Sequence, residues 1–149
     1  MLTITKSYRD LPAAHRQPNH DGHCRLVHGH NWGFDITIAC DMLDENGFVL
    51  DVGKMKCVKA RLEELFDHTL LINYEDPLVD NFKNMDQRGL VNLVLVPNCG
   101  MEGLAQFVQQ DVQKLLEATF GTERGLQVTE VVCLEDSKNI ATYTYLVQP

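Results

Sequence analysis

No stretch of this sequence is apolar for long enough to cross a membrane. Its longest such run, within "LVNLVLV", falls far short of the ~18 residues that a spanning helix needs. The opening "MLTITKSYRD" also has none of the basic-then-apolar order of a secretory leader. Positive charge is scarce. Thirteen Lys and Arg stand against 21 Asp and Glu, a formal charge of -8, which opposes contact with a polyphosphate backbone and sets nucleic acid aside as a partner. Paired cysteines are missing too. The five thiols at 24, 40, 57, 99 and 133 are odd in number, widely spread and without a CxxC pair, a pattern that suits free thiols in a reducing, cytoplasmic compartment. Low-complexity tracts, internal repeats and a phosphate-cradling glycine loop are absent as well.

What remains is ordinary globular material, 44% hydrophobic and 23% charged, and 149 residues suit one domain over 1–149. The first residues, "LTITKSYRD", alternate like a strand that reaches towards "LPAAHR". "QPNHDGH" is a turn-rich loop, and "HNWGFDITIACD" reads as a second long strand with His30, Trp32, Phe34, Ile36 and Ile38 sharing one parity. "DENG" signals a turn and "FVLD" a short third strand. From Asp51, a helix cap, the period lengthens and puts Met55, Val58, Leu62 and Leu65 on one side of a helix ending near Asp67. Residues 73–89 are polar without a clear period and read as a loop. "LVNLVLVP" is a further strand, a second helix covers about 101–119, and "LQVTEVVCLED" and "IATYTYLV" are the last two strands. These elements predict an α+β fold, a mainly antiparallel sheet with two helices on one face, whose open edges invite oligomerisation.

The chemistry concentrates in "HCRLVHGHN", residues 23–31. On an extended chain His28 and His30 point to the same side about 6.6 Å apart, a separation that one metal ion can bridge. His15 in "AAHR" is the third ligand that a hairpin of the first two strands would bring alongside, with His20 and His23 as spare imidazoles in the loop. Three imidazoles with a vacant place suit a catalytic zinc better than a structural one. Cys24, between His23 and Arg25 and close to such an ion, sits where a thiol pKa falls below about 8.5 and the group becomes a usable base or nucleophile. Cys40, Cys57 and Cys133 lie inside strand or helix patterns and read as small buried hydrophobes. Asp67 and His68 follow the first helix, either as a plain polar turn or as a carboxylate that orients an imidazole for proton exchange.

Taken in order, "AAHR", "CRLVHGHN", "FVLDVGKMK", "FDHTLLIN" and "VVCLED" resemble the pterin synthases that include 6-pyruvoyl-tetrahydropterin synthase and 6-carboxytetrahydropterin synthase, across nearly the whole chain. The resemblance implies a T-fold subunit that assembles into a barrel-like homo-oligomer with active sites at subunit interfaces. It implies His15, His28 and His30 as Zn2+ ligands, Cys24 with Asp67 and His68 as the proton-transfer group, and Glu135 as the anchor of a pterin ring. Three residues separate Cys24 from the HGH motif, the spacing of the carboxy-forming branch of queuosine biosynthesis, whereas pyruvoyl-forming members typically have five. That branch converts 7,8-dihydroneopterin triphosphate into 6-carboxytetrahydropterin, acetaldehyde and triphosphate. The pyruvoyl-forming reaction, a non-catalytic pterin-binding module and a structural-zinc oligomer are the alternatives. The chain departs from the family pattern at "CGME", where Gly100 takes the place of Thr and Glu102 is kept, and at Asp136, which follows Glu135 where Thr is usual. Arg16, Arg25 and Lys54 are the cations at hand for a triphosphate.

Overall fold

In a computed structural model the described residues are 1–146. They form one six-stranded sheet of order β4-β3-β1-β2-β5-β6, built from β1 (Thr3–His15), β2 (His28–Ala39), β3 (Thr69–Asn73), β4 (Leu93–Val96), β5 (Gln127–Leu134) and β6 (Ile140–Thr144). The β1-β2, β2-β5 and β5-β6 pairs are antiparallel, while β3 runs parallel to both β1 and β4. Helices α1 (Lys56–Phe66) and α3 (Met101–Phe120) cover one face. Between them and the sheet lies the main core, with Trp32, Phe34, Ile36 and Ile38 from β2, Val58, Leu62 and Phe66 from α1, and Leu104, Val108 and Val112 from α3.

The helix over 101–119 and the inward side of the first helix stand as the periodicity predicts, with Met55, Val58, Leu62 and Leu65 all buried. Asp51 caps a 3-10 turn, Val52–Met55, its Oδ1 accepting from Gly53 N at 2.8 Å, and α1 proper follows at Lys56. At the far end of α3, Gly121 adopts φ 76, a left-handed conformation that a side chain would disfavour, and the helix stops.

Two local expectations give way, and one strand went unread. "FVLD" is no strand, because the Arg124 guanidinium takes the carbonyls of Phe48 and Val49 at 2.9 and 2.7 Å that a strand would offer a neighbour. Val49 and Leu50 still enter the core. Thr69–Asn73 is a strand that its unbroken apolar run concealed: Leu71 faces the main core, whereas Leu70 and Ile72 face the opposite side, so no alternation shows in the sequence. Residues 73–89 are not all loop either. They contain α2 (Val79–Gln87), whose Val79, Phe82 and Met85 pack on Leu70 and Ile72, on the sheet face opposite α1 and α3. An apolar residue every third position was its signal, too brief to stand out against polar neighbours.

Candidate metal centre and active site

A bulge in β1 aims the first imidazole. The β1-β2 register slips between Tyr8 and Leu11, where Asp10 takes φ 63, so Tyr8 on one parity and Leu11, Ala13 and His15 on the other all face the core. One extra residue reverses every side chain beyond it. His15 pairs directly with His28 across the ladder and Ala13 with His30, so all three imidazoles share the inner face at one end of the core. Trp32 forms their floor, its ring centre 5.0 Å from His15 and 5.4 Å from His30, and its Nε1 donates to Ala13 O at 3.1 Å.

Hydrogen bonds fix which nitrogens are free. His15 Nδ1 donates to Cys99 O and His28 Nδ1 to Leu26 O, both at 2.7 Å. A carbonyl only accepts, so each Nδ1 carries a proton, and in the neutral ring each Nε2 keeps a lone pair. Those two Nε2 atoms are 3.1 Å apart. Burial, with His28 and His30 nearby, pushes the His15 imidazole down to about 4, which leaves it neutral near pH 7. His30 Nε2 is buried without a hydrogen-bond partner; Glu135 Oε1 is 3.2 Å away but poorly aligned, and 3.6 Å from His15 Nε2. The ligand atoms of His15, His28 and His30 all lie within 4.8 Å of one another. Three converging imidazole nitrogens, two of them on rings whose second nitrogen is held by a carbonyl, are the donor set that zinc takes. His15, His28 and His30 therefore fit a metal ion, and Glu135 borders them from one side.

Cys24 is half-buried in a 3-10 turn, His23–Arg25. Its carbonyl accepts from Gln17 N at 2.8 Å, which ties the turn to the chain just beyond His15. His20 and His23 stay outside the cluster, and His20 Nδ1 instead accepts from Gly22 N at 2.9 Å. Asp67 and His68 are joined, His68 Nδ1 to Asp67 Oδ1 at 2.6 Å, with the imidazole 85% exposed. His68 has φ 59, and its N–H donates to Pro12 O at 2.7 Å. A non-glycine residue held there is strained, and such strain gathers at functional positions. The ring opens onto a groove of about 460 Å³ that is lined by Pro12, Ala13, Ala14, Gly29, His30, Asn31 and Thr69 as well. Within one protomer the structure thus brings the three histidines and Glu135 together, and leaves the exposed Asp67–His68 pair outside their cluster.

The remaining sequence-marked groups have other work. Cys133 is fully buried, and desolvation with Glu135 and Glu102 nearby pushes its thiol up, as a core residue. The Asp136 carboxylate accepts from Lys138 N and Asn139 N at 2.7 Å each, which commits it to the β5-β6 turn. Arg16 is bound to Asp76, and Arg25 donates to Gly22 O at 2.9 Å. The Cys99 carbonyl, the Trp32 floor and the Asp76 partner of Arg16 went unread in the sequence. Trp32 shared the parity of His30, which was a usable signal; a backbone carbonyl and an acid in a polar stretch leave none.

The family model described as 6-pyruvoyl tetrahydropterin synthase matches residues 3–145. The chain belongs to this family. A relative in Aquifex aeolicus named 6-carboxy-5,6,7,8-tetrahydropterin synthase is 30% identical over 122 residues, 80% of this chain and 75% of that protein. The Rickettsia felis protein of the same name is 37% identical over 68 residues, 45% of this chain, and the match spans 49% of its length. Among solved structures, an uncharacterized protein from Wolinella succinogenes superposes with a TM-score of 0.78 at 19% identity, covering 96% of this chain and 97% of the other. Caenorhabditis elegans 6-pyruvoyl tetrahydropterin synthase does so at 0.63 and 20% identity over 98% of each chain. At such identities the likeness speaks for the fold alone, and it bears out the T-fold expected for a member of this pterin synthase family.

Proposed function

We propose that this family member is a zinc-dependent 6-carboxytetrahydropterin synthase, which converts 7,8-dihydroneopterin triphosphate into 6-carboxytetrahydropterin, acetaldehyde and triphosphate on the route to queuosine. The observation that carries the metal-dependent reading is the pair of Nε2 atoms of His15 and His28, 3.1 Å apart with each Nδ1 already committed to a carbonyl. Two acceptors that close repel, and a cation between them turns repulsion into binding. The three-residue spacing between Cys24 and His28, and relatives that carry the carboxy-forming name, favour this product over the pyruvoyl one.

His15, His28 and His30 would hold the zinc, which when bound acts as a Lewis acid toward the hydroxyls of the substrate side chain. Glu135 has two acceptor oxygens for adjacent N–H donors of the pterin ring and so sets its plane beside the histidines. Cys24 would take a proton from the side chain, and His68, oriented by Asp67, would return one. Since His68 is 85% exposed and stands outside the histidine cluster on its own protomer, Asp67 and His68 are assigned to the site of a neighbouring copy in a homo-oligomer in the cytoplasm.

The deciding experiment is to incubate zinc-loaded protein with 7,8-dihydroneopterin triphosphate and identify the pterin product by mass. A carboxylated pterin with acetaldehyde is the expected outcome. A pyruvoyl pterin would replace the product, and bound but unchanged pterin would reduce the chain to a binding module.

A further inference from the structure

Arg16 directly follows the first histidine of the cluster, and its side chain leaves the site altogether. Nε and Nη2 reach the two oxygens of Asp76 at 2.7 and 2.8 Å, with the carboxylate fully buried and the guanidinium side chain 15% exposed. Asp76 lies between β3 and α2, in the stretch read as loop, and its Oδ1 also accepts from Leu78 N at 2.8 Å at the start of α2. The guanidinium stands 5.7 Å from the centre of the Phe82 ring of α2. Burying two charges costs several kcal/mol per ion unless geometry and extra hydrogen bonds compensate, so such a pair holds one arrangement strictly.

What it holds is the turn that carries the thiol. Arg16 Nη1 donates to Arg25 O at 3.3 Å, and Gln17 N donates to Cys24 O at 2.8 Å. Arg16 O accepts from the Cys99 thiol at 3.0 Å, and Cys99 O in turn accepts from His15 Nδ1. Asn73, just ahead of Asp76, accepts from Cys99 N through its Oδ1 at 2.8 Å. One guanidinium therefore touches the α2 excursion on one side and the His23–Arg25 turn on the other, while its own backbone meets the residue that orients His15.

We propose that Asp76 is a positioning residue: by fixing Arg16 it holds the Cys24 turn in register with His15, so that the α2 excursion sets where the thiol stands. The proposal rests on the roles given to Cys24 and His15 above, and it removes Arg16 from the cations open to a triphosphate.

The test is Asp76→Asn, which keeps an acceptor for Leu78 N but ends the charged pair. Its control is Asp111→Asn, because Asp111 binds Arg61 in the same bidentate manner at 2.8 and 2.9 Å between α1 and α3, remote from the cluster. Alkylation by iodoacetamide is followed at each cysteine by peptide mass in metal-free protein, a readout that stands even if the wild type makes no carboxypterin. Asp76→Asn should speed modification of Cys24 over wild type, and Asp111→Asn should not. With zinc and substrate, kcat should fall about 10- to 100-fold, the usual range for groups that orient ligands indirectly, with KM little changed. Arg16→Lys, which keeps the charge but not the fork, should move both readouts the same way should Asp76→Asn fail to fold. Cys24 alkylated at the same rate in both Asp variants and in wild type would overturn the proposal.

Discussion

His15 and His28 face each other across a hydrogen-bonded ladder with their Nε2 lone pairs 3.1 Å apart, each ring pinned from behind by a carbonyl. Between neutral rings these two lone pairs repel, and a cation between them turns the repulsion into binding. Zinc should therefore raise the thermal midpoint of the wild type, by the equivalent of about 2.7 kcal/mol at a hundred times Kd. His28→Ala should lose that response, and without metal it should be no less stable than metal-free wild type. A metal-free His28→Ala that melts well below metal-free wild type would count against the repulsion argument.

Glu135 borders the histidines without joining their cluster, which leaves its carboxylate for a ligand. Glu135→Gln keeps the size and one acceptor but loses the charge, and a charge-assisted hydrogen bond contributes about 1.5–3 kcal/mol. KM for the pterin should rise about 10- to 100-fold by that figure, while zinc content, measured by elemental analysis, stays at the wild-type level. Lost zinc with unchanged KM would assign Glu135 to the metal instead.

The centre was easier to read in the sequence than its surroundings, for a physical reason. His28 and His30 share a strand, so their common direction follows from the pleat alone, and Trp32 through Ile38 continue the same parity into the core. His15 is different. Its inward direction depends on the bulge at Asp10, and simple alternation from Tyr8 would have turned it outward. The parallel pairing of β3, the α2 helix and the Arg16–Asp76 pair all depend on contacts between distant segments, which local periodicity does not encode. "FVLD" carried a strand pattern that a single arginine, 76 residues away from Phe48, overrode.

Acid should expose the Arg16–Asp76 pair. Arg16 holds the Asp76 carboxyl below the usual carboxylate range, so its share of stability is whole above the unfolded value of about 3.9 and fades as pH falls through the lower folded value. At pH 7, Asp76→Asn should cost about 3 kcal/mol, because it leaves a buried guanidinium without its partner. The gap between the two proteins in urea unfolding should narrow steadily below about pH 4, where Asp76 of the unfolded wild-type chain takes up a proton that the folded one still refuses. A gap that stays constant from pH 7 to pH 3 would mean that the charge of Asp76 contributes nothing.

The outward aim of His68 makes the sharing of sites between copies measurable. If Cys24 of one protomer works with Asp67 and His68 of another, Cys24→Ala and His68→Ala are each inactive, yet neither lacks what the other has lost. Refolding the two together at equal amounts should restore activity. Random assembly gives an intact Cys24 and an intact His68 to about a quarter of the sites, so recovery should approach that fraction of wild type. Mixing without unfolding should restore nothing until subunits exchange. Were both groups instead drawn from one protomer, every site in the mixture would keep a defect, because each chain carries one of the two substitutions, and no ratio or refolding would help. The 85% exposure of His68, outside the cluster of His15, His28 and His30, favours the first outcome.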